Sequence, residues 1–339
     1  MGILSIVKTK RGLENDGDEE AVAIRYFAEK KGSYMEKLLR NFFLFLSNNK
    51  LLKNLAKKFG LKLGASRFVA GQTLEEAVEV IKGLNEQGLA VTVDYLGEFV
   101  ESEEETRTIT NHCIKTIEAI RKENLDAQLS IKLTSLGLDL SEELLKENLL
   151  NLLNTARNNN VFVTIDMEDF SRCDQTLRLY KQLKKEYTDL GTVLQAYLYR
   201  TEKDIKSLVD YQASLRLVKG AYKEPEEVAF PDKKDVDDNF KKLIRYYLDN
   251  GYYTAIATHD DAIIEDAIQY IKEKNIPQEK FEFQMLYGIR TERQLQLAGE
   301  GYKVRVYVPY GTDWFGFYMR RLAERPANVW FALKNLFKR

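Results

Sequence analysis

The chain has 339 residues, 44% of them hydrophobic and 30% charged, the composition of a globular protein with a large core rather than of a disordered or fibrous one. Lys and Arg number 51 against 52 Asp and Glu, a net charge of −1, so the basic excess of a protein that neutralises phosphates is absent and nucleic acid is not an expected partner. Only Cys113 and Cys173 occur, too few for a disulfide framework or a Cys-rich zinc site, which points to a reducing, cytoplasmic compartment.

The first ten residues have a short apolar run followed, not preceded, by basic residues, and so do not read as a secretory signal. Ile6 stands where myristoylation needs Ser or Thr, and the last residues, Leu336 to Arg339, form no prenylation box. The longest apolar run, Phe42–Leu46, falls far below the ~20 residues of a spanning helix. Helical spacing runs through Glu19–Lys31, Tyr34–Ser47 and Asn49–Phe59 before Gly60 and Gly64 break it, so residues 1–65 are expected to form a helical segment.

From Ser66 the texture changes. Short apolar runs at Arg67–Ala70, Ala90–Tyr95, Leu129–Leu133, Val161–Ile165, Val193–Leu198, Leu215–Lys219, Thr254–Ala257, Phe281–Met285 and Tyr302–Val308 read as strands. Between them lie amphipathic helical patterns: Thr73–Gln87, Ser102–Glu123, Ser141–Asn158, Asp174–Thr188, Asp235–Leu248, Asp260–Lys274 and Thr291–Ala298. Strands alternating with helices imply a parallel sheet, and region 66–339 has the size of a (β/α)₈ TIM-type barrel, about 250 residues. An open doubly-wound sheet would offer a glycine-rich phosphate turn, and neither GxGxxG nor a P-loop is present. One candidate strand is in excess; the short Arg67–Ala70 is the expected lead-in.

Barrel strands send alternate residues into the lumen. Where apolar residues hold one parity, the other parity isolates Asp94, Ser130, Lys132, Thr164, Asp166, Gln195, Arg216, His259, Gln284 and Tyr307, near the strands' carboxyl ends. That end of a barrel carries its active site. Any one of these could be a turn former or a cap; a polar residue in register on successive units points to an enzyme.

Asp313–Glu324 is apolar on nearly every side, the pattern of a buried helix, yet it contains Arg320 and Arg321. Buried guanidinium groups require anionic partners. These are protein carboxylates, such as Glu98 or Glu324, or a bound carboxylate or phosphate, which arginine's planar fork suits. If this helix lies over the barrel mouth, Lys132 adds a third positive charge, and a small anionic substrate is implied.

His112, within the Ser102–Glu123 pattern, reads as an ordinary packing residue, and Cys173 has no neighbouring base to activate it. With so few His and Cys, no metal site is expected. Ser102 and Glu105 have capping-box spacing. Lys37–Lys58 and Val329–Arg339 interleave basic and aromatic residues and could lie on an anionic bilayer surface or pack on the barrel.

Taken in order, Asp94-Tyr-Leu-Gly-Glu98, Ser130-Ile-Lys132, Thr164-Ile-Asp166, Leu215-Arg-Leu-Val-Lys-Gly-Ala-Tyr222, Thr258-His259, Phe283-Gln-Met-Leu-Tyr-Gly288, Tyr307 and Arg320-Arg321-x-x-Glu324 resemble the proline dehydrogenase family from about Arg67 to Phe331. The length is similar to that of monofunctional bacterial members. The resemblance implies a distorted (β/α)₈ barrel with N-terminal helices and a C-terminal helix over its mouth. It also implies non-covalent FAD, oxidation of L-proline to Δ1-pyrroline-5-carboxylate, and a membrane quinone as electron acceptor, with the protein at most peripheral to the inner face of the membrane.

By matching position, the resemblance implies that Lys132, Arg320 and Arg321 hold the proline carboxylate while Leu286 and Tyr307 pack on its ring. It assigns Asp166 and Arg216 to the catalytic centre. Met167, Gln195, Arg216, Val218, Lys219, Gly220, Thr258, His259, Gln284 and Glu324 would surround the flavin, and Glu98 would pair with Arg320 as a gate. Phe317 departs from the tyrosine that many relatives carry there, which bears on substrate discrimination; Tyr307 is retained, which favours proline over hydroxyproline. The residues by themselves also allow an aldolase using Lys132 or Lys219 as a Schiff base, or a silent barrel serving as an interaction module.

Overall fold

The structure, a computed structural model, describes residues 65–97 and 100–324, and the side chains of these up to Arg321. The expected helical segment, both basic amphipathic stretches, Glu98 and the Glu324 side chain lie outside the described residues.

Eight parallel strands close into a barrel in chain order: β1 (Ala90–Tyr95), β2 (Ala127–Ile131), β3 (Val163–Ile165), β4 (Leu190–Gln195), β5 (Ser214–Val218), β6 (Tyr253–Ala257), β7 (Phe281–Leu286) and β8 (Val304–Tyr310). β8 pairs with β1 through Ala90↔Arg305 to Tyr95↔Tyr310 and closes the ring. The connecting helices are α1 (Leu74–Glu86), α2 (Glu103–Lys122), α3 (Glu142–Asn159), α4 (Cys173–Leu183), α5 (Thr201–Lys206), α6 (Lys233–Asn250), α7 (Asp261–Lys274) and α8 (Thr291–Gly299). The compact unit holding the barrel is Phe59–Trp314. A last helix, α9 (Trp314–Glu324), belongs from Phe315 onward to a second unit; Phe315, Phe317, Tyr318, Met319 and Arg321 are buried, as its all-round apolar pattern predicts, and the Arg321 guanidinium lies 4.8 Å from the Phe317 ring centre.

Local chemistry sets the helix starts. At α1, Thr73 Oγ1 accepts from the Glu76 amide while Glu76 Oε2 accepts from the Thr73 amide, a complete capping box. At α2, Ser102 caps the Glu105 amide as expected, but the Glu105 carboxylate takes the amide of Glu101, one residue earlier, so the reciprocal bond is displaced. The outward parity of the strands, including Val93, Leu129, Val163, Leu217, Phe283 and Val306, is buried against the helices in one continuous core. Burial of that face is the main stabilising term, of order 25 cal/mol per Å².

Three expected elements change. Arg67–Ala70 is not a strand: a 3₁₀ turn, Ala65–Arg67, leads into an irregular run whose Ala70 amide donates to the Pro309 carbonyl. The strand expected at Val193–Leu198 is Leu190–Gln195, because its start is set by pairing with β3 (Val163↔Leu190) and not by local hydrophobicity. The pattern expected for Asp174–Thr188 correspondingly ends at Leu183, and α5, too short to show a helical period, was not anticipated. His112 is a packing residue: its ring stacks on Tyr95 at 4.3 Å and 9°. Burial pushes both thiols, Cys113 and Cys173, up to about 12, so neither is a nucleophile near neutral pH.

Gly288 pins the lead-in to the barrel. Its φ of +71° is the left-handed region, and a Cβ there would collide with the Arg67 carbonyl oxygen. Gly288→Ala should destabilise the protein by more than ~1 kcal/mol. Gly299→Ala, in open space at the end of α8, should leave the thermal midpoint near that of the parent. Equal midpoints for both variants, by scanning calorimetry, would remove the proposed contact.

Candidate active site

Four strands of the barrel deliver one charged cluster to its lumen. Lys132 and Asp166 each stand one residue beyond the ends of β2 and β3; Asp94 lies on β1 and Arg216 on β5. Lys132 Nζ donates to Asp94 Oδ2 at 2.9 Å and to Asp166 Oδ2 at 3.2 Å. Arg216 Nη1 donates to Asp166 Oδ1 at 2.6 Å. The Ser130 hydroxyl donates to Asp166 Oδ1 at 2.6 Å and the Tyr307 hydroxyl to its Oδ2 at 2.8 Å. Bonds from β5 to Ser130 on β2, and from β8 to Asp166 beyond β3, join strands that are not neighbours, so they cross the lumen.

Burial opposes ionisation of Asp166, but Lys132 and Arg216, with the hydrogen bonds from Ser130 and Tyr307, outweigh it and hold the carboxyl below the ordinary carboxylate range. Burial, then the Asp166 and Asp94 charges, push the Tyr307 phenol well above its usual value, so it stays a proton donor. Its ring faces the Arg216 guanidinium at 5.1 Å, which with the Asp166 bond fixes the orientation of the aromatic plane. Gln284 Oε1 accepts from Arg216 Nε at 2.7 Å.

The parity reading is therefore met for Asp94, Ser130, Lys132, Asp166, Arg216, Gln284 and Tyr307, which form one bonded group. Other expected residues stand at neighbouring strand ends with partners of their own. The Gln195 amide donates to the Glu168 carbonyl at 2.8 Å. His259 Nε2 accepts from the Leu286 amide at 2.9 Å, so the neutral ring carries its proton on Nδ1. Thr258 and Met167 are buried. Lys219, following Val218, pairs outside the cluster with Asp260 at 2.8 Å and Asp237 at 2.5 Å. Gly220, at φ +115°, has the Tyr197 ring where a Cβ would stand. Arg320 and Arg321 lie on α9, in the other unit, and Glu98 and the Glu324 side chain are outside the described residues. The lysines expected for an aldolase each sit between two carboxylates, the opposite of the apolar pocket that activates a Schiff-base amine.

Among the lumen residues that the strand-end pattern does not single out, two form an ion pair. Glu282 and Arg305 are buried below the cluster, Arg305 Nε donating to Glu282 Oε1 at 2.8 Å. The same alternation carries them, Glu282 between Phe281 and Phe283 and Arg305 between Val304 and Val306.

A closed parallel barrel with buried, charge-paired side chains gathered at the carboxyl ends of its strands is the architecture of a barrel enzyme. The profile of the proline dehydrogenase family matches residues 77–333. Proline dehydrogenase 1 of Bacillus subtilis subsp. natto is 57% identical over 302 residues, 89% of this chain and 100% of that protein. The proline dehydrogenase of Deinococcus radiodurans is 41% identical over 309 residues, 90% of this chain and 99% of that protein. Among solved structures, proline utilization A (PutA) from Bdellovibrio bacteriovorus inactivated by N-propargylglycine matches with a TM-score of 0.73 at 27% identity, covering 88% of this chain and 38% of that longer one. The chain belongs to the proline dehydrogenase family and is an oxidoreductase.

Asp166 should dominate the acid sensitivity of the barrel. Its carboxyl titrates near ~3.9 when unfolded and lower when folded, so its contribution is present above ~3.9 and is lost as pH falls through the folded value. Asp166→Asn removes the carboxylate that Arg216 and Lys132 share, leaving them on Gln284, Ser130 and Asp94, and should cost up to about 3–5 kcal/mol by urea unfolding between about pH 5 and 7. The gap from wild type should narrow below about pH 3.9; a gap independent of pH would contradict the assignment.

Proposed function

We propose that the chain oxidises L-proline to Δ1-pyrroline-5-carboxylate with bound FAD. The observation that carries this reading is the buried Asp94–Lys132–Asp166–Arg216 cluster on the carboxyl ends of the strands, in a chain 57% identical to a proline dehydrogenase. The donor set fits a flavin: β4 to β7 end on Gln195, Arg216, Gly220, Thr258, His259 and Gln284, a mixture of amide, cation, hydroxyl, imidazole and side-chain-free backbone suited to ring carbonyls and phosphates. When bound, the flavin supplies the two-electron acceptor for a hydride from the carbon beside the proline nitrogen.

The residues divide the remaining work. Among the described residues two cations of the cluster balance two carboxylates, so an incoming substrate carboxylate needs positive charge beyond them, which Arg320 and Arg321 would supply beside Lys132. Tyr307, held by Arg216 and Asp166, and Leu286 at the end of β7 offer surfaces for the pyrrolidine ring. Arg216 would hold the flavin ring, where its positive charge would favour electron uptake. The reacting amine must be neutral so that its lone pair stabilises the iminium. Asp166 already accepts from Lys132, Arg216, Ser130 and Tyr307, so the amine proton goes to solvent before binding. Orientation of the donor carbon is the main catalytic contribution, worth ~7–11 kcal/mol in favourable cases. A membrane quinone is the electron acceptor in this reading, and the Lys37–Lys58 and Val329–Arg339 stretches carry the basic and aromatic residues that would meet an anionic bilayer.

The purified protein should be yellow and should bleach when proline is added without oxygen; a colourless or unresponsive protein sinks the reading. Arg321→Met should raise the apparent KM for proline roughly ten- to a hundredfold, the loss of a charge-assisted hydrogen bond, with flavin content little changed. Unaltered kinetics would defeat the carboxylate assignment. On flotation with anionic liposomes at low salt the full chain should rise with the vesicles, and complete recovery in the unbound fraction would remove the membrane surface.

A further inference from the structure

Beneath the cluster lies a second buried ion pair that this chemistry does not use. The Glu282 carboxylate, 2% exposed, accepts from every side: Oε1 from Arg305 Nε at 2.8 Å and from Gln284 Nε2 at 2.6 Å, Oε2 from the Tyr253 hydroxyl at 2.9 Å. Lys303 Nζ stands 3.4 Å from the same Oε2. Arg305 is anchored in turn by Nη1 donating to the Val91 carbonyl at 2.8 Å.

Gln284 connects the two levels. An ionised carboxylate only accepts and a guanidinium only donates, so the amide between Glu282 and Arg216 can be inserted in one sense alone. Its nitrogen meets Glu282 and its oxygen meets Arg216 Nε, at 2.6 and 2.7 Å. Arg216 is thereby held at two separate edges, Nε on Gln284 and Nη1 on Asp166. Ser130 accepts from Nη1 and Nη2 at 3.3 and 3.4 Å on the Asp166 side, so Gln284 is the partner that holds the Nε edge, and the two edges together fix the plane.

We propose that Glu282, itself held by Arg305, is a positioning residue that locks the Gln284 amide and through it the plane of Arg216. This rests on the reading above in which Arg216 faces the flavin. The negative charge of Glu282 never touches substrate; it acts by deciding which end of an amide faces upward.

The test uses full-length holoprotein and the visible circular dichroism and reduction potential of its bound flavin, with kcat and KM for proline measured alongside. Glu282→Gln, which can present either end of its own amide, and Gln284→Leu should both change the flavin dichroism and lower kcat on the order of tenfold, a cost typical of a small misplacement near reacting atoms. KM for proline should move by no more than roughly threefold, since the carboxylate ligands are untouched. The double variant should be no worse than the worse single one, because both act on one chain of contacts. Should Glu282→Gln fail to fold, Glu282→Leu with Arg305→Met replaces the pair by apolar groups of similar size, a change that buried pairs tolerate, and the same dichroic change and kcat loss are expected. Wild-type dichroism, potential and kcat per bound flavin in the Glu282 variants, with only the thermal midpoint lowered, would make the pair purely structural and overturn the assignment. A wild-type protein that binds no flavin overturns the functional reading itself, and this one with it.

Discussion

A carboxylate, Asp166, surrounded by four donors inside a closed barrel is the contact on which the rest depends. Removing a charge from water costs several kcal/mol unless opposite charge and hydrogen bonds replace the solvent. Here Lys132, Arg216, Ser130 and Tyr307 do so from β2, β5 and β8, so that no single strand could place the group by itself. The barrel makes this arrangement possible because parallel strands in register bring side chains of one parity to the same level of the lumen.

The lumen then reads as levels of alternating charge. Arg305 and Glu282 occupy the lower one, Gln284 bridges, and Arg216, Asp166, Lys132 and Asp94 follow above. Arg305, Arg216 and Lys132 each lie between acceptors, and Glu282 and Asp166 each between donors, so the column is held together without being apolar. Such preorganisation is what a site needs when its task is orientation, since dipoles already in place need not rearrange as the reaction proceeds.

Much of this was legible from alternation. Asp94, Ser130, Lys132, Asp166, Arg216, Gln284 and Tyr307 stood at the parity opposite to their apolar neighbours, and all seven are joined by hydrogen bonds in the folded chain. Glu282 and Arg305 obey the same alternation but lie further from the carboxyl ends, where barrel side chains are expected to pack rather than to form the site. Less legible were the bounds of β4, since Leu190 and Gly191 become strand through pairing with β3, and α5, whose six residues span too few turns to reveal a period.

Composition and period by themselves determined a parallel (β/α)₈ barrel with polar residues facing inward, because periodicity and parity are properties of successive residues along one strand or helix; the family followed from the resemblance of the ordered motifs. Which inward residues bond to which was decided only by closure of the barrel. Lys132 and Tyr307 are 175 positions apart, and Arg305 and Val91 are 214 apart, yet both pairs are brought within bonding reach by the joining of β8 to β1 and by the lumen between the strands. Lys219, equally prominent in the chain, was sent instead to Asp237 and Asp260, because its position beyond the end of β5 puts its ammonium within reach of those carboxylates.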